Sequence, residues 1–354
     1  MKMKHILAFL FLFFIVNCHA QSLNADFSSV SLFWSITNNL KKIIYPSEDD
    51  WSKLFNSPYY AFYFPKNFHK STKELFSIAF MPTRKSELDS VRSSNSWQKF
   101  IVEYWISCDS EKEQLEQFKD AIDGEALMRK VLAEVQRYLP KGTIEKFDKP
   151  KMAFGFYQPD ANGGKIIAMD LKLARDCYDY TLILAHEAHH YYMSKIRMKF
   201  KEDPKANSYP LVHAIFQMQL EGIADLIDKE TMLNSRGKGL PKNTYDLYLE
   251  HYSNPTVNLI KVDSLLKLIY YDPGSIKENG ELIREFLPLS SHPHGYFLAK
   301  TILAEYGIKG VTKTATNPFQ FIRVYNRASG KNNLFNFSKE AMQCLKKLER
   351  DIRK

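Results

Sequence analysis

The chain is expected to fold as a mostly helical α+β protein, and three observations lead there. Glycine is sparse (14 in 354 residues) while Phe (25) and Tyr (20) are abundant, which favours helices over turn-rich β architecture. Helical patterns with recognisable starts and stops fill most of the chain. Strand-like alternation is confined to one region, Lys151 to Asp170.

In chain order, the first twenty residues stand apart from the fold. Lys2 and Lys4 precede an eleven-residue apolar run, Ile6 to Val16, and Cys18-His19-Ala20 places small residues before Gln21. This pattern reads as a cleaved secretory signal peptide over residues 1–20, too short in its apolar part to span a bilayer. Lipidation at Cys18 is the alternative, disfavoured by Asn17 where a small residue belongs. No later segment reads as transmembrane, so the expected location is periplasmic or extracellular.

Residues 21–107 read as irregular and aromatic-rich, notably Tyr59 to Phe68, with amphipathic stretches such as Trp97 to Ile106. A helical pattern over 109–139 is opened by Asp109 and Ser110, broken at Gly124 and closed before Pro140. Lys151 to Asp170 reads as two short strands around an Asn162-Gly163-Gly164 turn. A helix from about Tyr178 to Phe200 follows, then one opened by Pro210 and stopped at Gly237. Further helices are expected over Pro255–Tyr271, Tyr296–Tyr306 and Ser338–Arg353. A soft boundary near residue 140 separates a helical N-terminal region (21–140) from the region carrying the chemistry (141–354).

Composition excludes several classes. The net charge of +9 falls to +7 without residues 1–20, and no dense Lys/Arg block interleaved with aromatics appears, which argues against nucleic-acid binding. Cys108, Cys177 and Cys344 allow at most one disulfide, so this is not a disulfide framework. Oligomeric state is not readable from the sequence.

The chemistry is concentrated in "TLILAHEAHHYY", Thr181 to Tyr192. His186 and His190 are one turn apart on one helix face and can reach a single metal ion, while Glu187 points to the flank where an attacking water would sit. The glutamate is the only charged residue in the run, so the helix should be buried. A metal satisfies buried histidines and a carboxylate that would otherwise cost several kcal/mol, about 2–7 per unpaired polar group. A catalytic zinc site needs a third protein ligand. The extended HExxHxxGxxH pattern is ruled out, because Met193 and Ile196 occupy the required Gly and His positions. In "QLEGIADLID", Glu221 and Asp225 are four residues apart on an apolar helix. Glu221 can supply the third ligand, and Asp225 can accept the free ring N–H of a ligand histidine. An exposed acidic stripe that includes Asp228 is the bland alternative.

On these residues the chain resembles the gluzincin clan of thermolysin-like zinc peptidases, which combine HExxH with a downstream glutamate in an ExxxD-type sequence. "HEAHH" with "EGIAD" is similar to bacterial families of secreted zinc-dependent peptidases, over roughly residues 150–300. The resemblance implies Zn²⁺ held by His186, His190 and Glu221, with Glu187 as general base and Asp225 supporting a ligand histidine. It implies a zincin-like core with a small antiparallel sheet over the motif helix, and an edge strand from Lys165 to Asp170 beside the cleft that could hold an extended peptide. It also implies a downstream hydrogen-bond donor for the developing oxyanion. In "SHPHGYFLAKTIL", Tyr296 is the first choice and His294 the second, with His292 nearby. His189 is offset from the ligand pair and His213 reads as structural.

The expected activity is hydrolysis of peptide bonds. An amide of the cell wall or a small ester would suit the same site. A non-catalytic exported binding protein would instead close the site with a fourth ligand, His189 or His213.

Overall fold

The computed structural model describes residues 24–200 and 203–353; the signal-peptide segment lies outside the described residues. Helices dominate and surround one small sheet, as composition and patterning indicate.

The sheet has four short strands: β1 (Ala25–Asp26), β2 (Met152–Gly155), β3 (Ala161–Gly163) and β4 (Ile167–Asp170), in the order β1-β2-β4-β3. It is mixed rather than antiparallel. β1 runs parallel to β2 and β2 parallel to β4, and only β3 pairs antiparallel with β4. The reason lies in β2, which occupies the far edge of β4 (Met152 opposite Ile167, Gly155 opposite Asp170). β4 therefore lies inside the sheet, buried at every residue, and the edge strand on its side of the sheet is β3. Asn162 and Gly163 are strand residues instead of the turn, which is closed by Gly164 N–H donating to the Ile166 carbonyl, 2.9 Å.

Two expectations in the N-terminal region give way to tertiary packing. Asp109 and Ser110 end a helix, Trp97–Ser110, rather than opening one. Ser96 supplies that helix's N-terminal cap, while the Asp109 carboxylate is taken by Lys41 at 2.7 Å. The break at Gly124 is real, since α1 (Gly124–Gln136) begins there, capped by Asp123. The aromatic segment around Tyr59 contains a short helix, Pro58–Tyr63, whose Tyr59 and Tyr60 rings are fully buried. Burial of such large rings outweighs their modest helix propensity.

Four further helices position the site. α2 (Tyr180–Ile196) carries HExxH and is capped by Asp179, which accepts from the Thr181 and Leu182 N–H groups. α3 (Tyr209–Asn234) opens with Pro210 in its first turn and ends just before Arg236 and Gly237, both at positive φ. α5 (His292–Thr312) packs on α3, and α4 (Lys242–Ser253) packs on α5. One hydrophobic core runs from Ala25 to Leu348, and α1 packs directly on α2, so the packing is continuous across residue 140. Among the described residues, no helix is long and apolar enough to cross a membrane. Cys108, Cys177 and Cys344 are free and buried.

Candidate metal centre

The motif helix enters the core as its lack of charge predicts: Ile183 through His189 are all buried, and His190 is half-buried. α3 crosses it with Glu221, Asp225 and Asp228 on one face, at spacings of four and three residues. None of the three is solvent-exposed: Glu221 is 7% accessible, Asp225 0% and Asp228 2%. The exposed-stripe alternative is therefore excluded by the packing.

α5 approaches α3 more closely than side chains would allow. A Cβ on Gly222 would lie 2.3 Å from the Gly295 carbonyl oxygen, and one on Gly295 would lie 2.3 Å from that of Met218. Both positions require glycine because the two backbones touch. This crossing sets Glu221, adjacent to Gly222, against His292, one turn before Gly295.

The side chains converge on Glu221. Its Oε2 lies 3.1 Å from His190 Nε2, 3.3 Å from His292 Nε2 and 3.5 Å from His186 Nε2. Among the described residues, no donor meets that buried oxygen in hydrogen-bond geometry. His186, His190 and Glu221 each offer a ligand atom within 4.8 Å of the others. His186 Nδ1 lies 3.1 Å from Asp228 Oδ1; with a proton there, its Nε2 lone pair faces His190 Nε2 at 3.0 Å. Two imidazole nitrogens and an unsatisfied carboxylate oxygen facing one point are the donor set of a divalent zinc site.

A second grouping, His186 with Asp225 and His292, also satisfies the distances for a metal. There the cation is supplied by the protein: the Lys229 ammonium lies 3.2 Å from Asp225 Oδ1 and 2.7 Å from Asp228 Oδ2. Among the described residues, Glu221 faces imidazoles only. The first grouping is thus the one in which a bound cation is missing a protein substitute.

Burial and charge set the protonation of these groups. Burial pushes the Glu187 carboxyl up, with His190 and His186 pulling it partly back. Burial acts the same way on Glu221, but His190 and His292 overcome it and hold that carboxyl well below its ordinary range. For His292, burial disfavours the charged ring, yet Asp225 and Glu221 outweigh it and raise its pKa. His186 is desolvated and repelled by Lys229, and Asp228 still raises it well above its usual value.

A cavity of about 680 Å³ opens over the centre. Its wall includes His186, Glu187, His190, Glu221 and His292, and β3 forms one rim. A Cβ on Gly163 would lie 2.3 Å from the Glu187 carbonyl, so glycine is what lets the edge strand lie directly on the motif helix. The strand beside the cavity is β3, in place of the Lys165–Asp170 segment.

The other sequence-derived residues are distributed as follows. Asp225 is at the centre, but its closest imidazole is His292 (Nδ1 to Oδ1, 2.8 Å), while Asp228 is nearer to His186. Tyr296 and His294 are not among the residues lining the cavity. Tyr296 stacks on Tyr252 at 5.1 Å within a small apolar cluster with Met232 and Tyr248. His294 is fully buried, its pKa pushed down to about 4 by desolvation. On a helix entering at this angle, His292 faces the centre and the residues after it turn into the core. Asp228 and Lys229 are the site residues that sequence reasoning missed; their spacing from Glu221 (seven) and Asp225 (four) was the available signal. Neither His189 nor His213 belongs to a metal-holding group among the described residues. His189 is fully buried with both ring nitrogens unpartnered, and burial keeps it neutral.

Among curated proteins and among solved structures, nothing matches the chain. One family model does, over residues 51–334, and it spans most of the chain including every residue of the metal centre. The chain belongs to that family, described as "Putative zinc dependent peptidase (DUF5700)".

Proposed function

We propose that the protein is an exported zinc metallopeptidase of gluzincin type, with His186, His190 and Glu221 as ligands and Glu187 as general base. The observation that carries this reading is the convergence of those three ligand atoms within 4.8 Å, on a cavity that Glu187 also lines. Zinc bound there supplies Lewis-acid polarisation of the attacking water and of the scissile carbonyl. Glu187 accepts the proton of the attacking water and delivers it to the leaving amine; its raised pKa brings base and acid roles closer to neutral pH. His292, oriented by Asp225 and with its pKa raised by Asp225 and Glu221, donates a hydrogen bond to the developing oxyanion, the role that Tyr296 and His294 are too far inside the core to fill. An extended peptide pairs with the free edge of β3, which lies on the motif helix and brings the scissile bond over Glu187. Asp228 and Asp225 orient the His186 and His292 rings. The apolar segment at residues 6–16 carries the proposal of export.

The mature protein is expected to cleave an unstructured polypeptide, lose that activity on chelation and recover it with one equivalent of zinc. Cleavage unaffected by complete removal of the metal would refute the reading. Screening muropeptides and small esters in parallel tests the non-peptide reading of the same site.

His292 admits a second role because its Nε2 is only 3.3 Å from Glu221 Oε2. As a fourth ligand it would close the centre and make the zinc structural. His292→Ala separates the two. Oxyanion donation predicts wild-type zinc affinity with kcat down about 100- to 1,000-fold. Fourfold ligation predicts a large loss of zinc affinity.

A further inference from the structure

The family description and the ligand set leave unassigned a buried cation beside the centre. We propose that Lys229 is a positioning residue that ties His186 and His292 into one rigid unit, an inference that rests on the metal-centre reading above.

The Lys229 side chain is 13% accessible, and its ammonium contacts two carboxylates at once: Asp228 Oδ2 at 2.7 Å and Asp225 Oδ1 at 3.2 Å. Each carboxylate in turn holds one imidazole. Asp228 Oδ1 is 3.1 Å from His186 Nδ1, and Asp225 Oδ1 is 2.8 Å from His292 Nδ1. Tyr178 donates its hydroxyl proton to Asp228 Oδ2 at 2.5 Å, fixing that carboxylate through the oxygen other than the one nearest the histidine. The two rings lie nearly parallel with centroids 5.5 Å apart. The ammonium therefore contacts both of the carboxylates that stand behind the two imidazoles.

Charge explains why a cation is required at this point. Asp225 and Asp228 are on one helix face in a nearly dry environment, where like charges repel strongly. Both also compete for the same proton, since Asp225 Oδ1 is 3.5 Å from His186 Nδ1 as well. Lys229, four residues after Asp225 and next to Asp228, meets both from the same helix. It cancels one of the two charges and holds each carboxylate toward its own histidine. Without it the carboxylates separate or share His186, and both imidazoles lose their fixed orientation. Groups that orient a ligand histidine from behind are worth 10- to 100-fold in metal affinity or activity.

The test is zinc titration of the apo protein against a chromophoric chelator, which involves no substrate, together with steady-state kinetics. Lys229→Met is expected to weaken zinc binding about 10- to 100-fold and to lower kcat with KM within about twofold. Lys229→Arg, which can bridge two carboxylates, is expected to recover at least tenfold of the lost affinity. Should Lys229→Met not fold, Lys229→Gln takes its place as the single variant, and with Asp225→Asn and the double variant Asp225→Asn/Lys229→Gln it completes a cycle. Non-additive losses support coupling through the carboxylates. Zinc affinity within twofold of wild type in folded Lys229→Met, or strictly additive losses in the cycle, overturns the proposal. Failure of the wild-type protein to bind zinc overturns the metal reading with it; neutrality of Lys229→Met alone leaves the metal reading standing.

Discussion

Glu187→Gln is expected to leave the protein folded and zinc-loaded at wild-type stoichiometry while kcat falls by about 100- to 10,000-fold. The substitution is nearly isosteric, and Glu187 is 8% accessible, so the packing against β3 is preserved. An amide cannot accept the proton of the attacking water, and that is the only function the change removes. Glu187 Oε1 is 4.0 Å from His186 Nε2, against 3.5 Å for Glu221 Oε2, which sets it beside the ligand group and outside it. Undiminished hydrolysis by this variant, with metal content measured on the same sample, would remove Glu187 from the mechanism. Loss of zinc together with activity would make it a ligand.

Glu221→Ala has the largest expected effect on metal binding. It deletes the single oxygen around which His186, His190 and His292 are gathered. Because even groups behind a ligand are worth up to about 100-fold, loss of the ligand itself should weaken zinc binding by more than that. The thermal behaviour separates a metal ligand from a merely structural acid. Zinc at 100 times its Kd stabilises the wild-type fold by about 2.7 kcal/mol, and Glu221→Ala should forfeit this gain. In the absence of zinc the variant should be somewhat less stable than wild type near neutral pH, since His190 and His292 favour the ionised carboxylate in the folded state, so the zinc-dependent gain is the quantity that discriminates. Zinc retained at full affinity would disqualify Glu221 as a ligand.

The helical character of the chain and the membership of HExxH in a buried helix are legible because both depend on local periodicity. Pro210 in the first turn of α3 and Gly237 after its end mark boundaries that the structure places within a few residues. Asp109 misleads for the opposite reason. Its side chain looks like a cap in sequence, but Lys41, 68 residues away, takes it. Strand pairing is also set beyond the segment itself: whether Lys165–Asp170 is an edge depends on β2 pairing along its other side. The downstream histidine shows the same limit. "SHPHGY" presents two histidines and a tyrosine within five residues, and only the angle at which α5 meets α3 decides which one reaches the centre.

The sequence by itself determined the two-histidine and glutamate motif, the acidic face of α3 and the fold class, since these follow from spacing along one chain segment. Only the tertiary structure decided that His292 stands beside Glu221, that Asp228 and Asp225 serve different histidines, and that Lys229 joins them. The physical reason is the contact between Gly222 and Gly295, where two backbones meet without intervening side chains. That contact joins positions about seventy residues apart, and no local pattern specifies its angle.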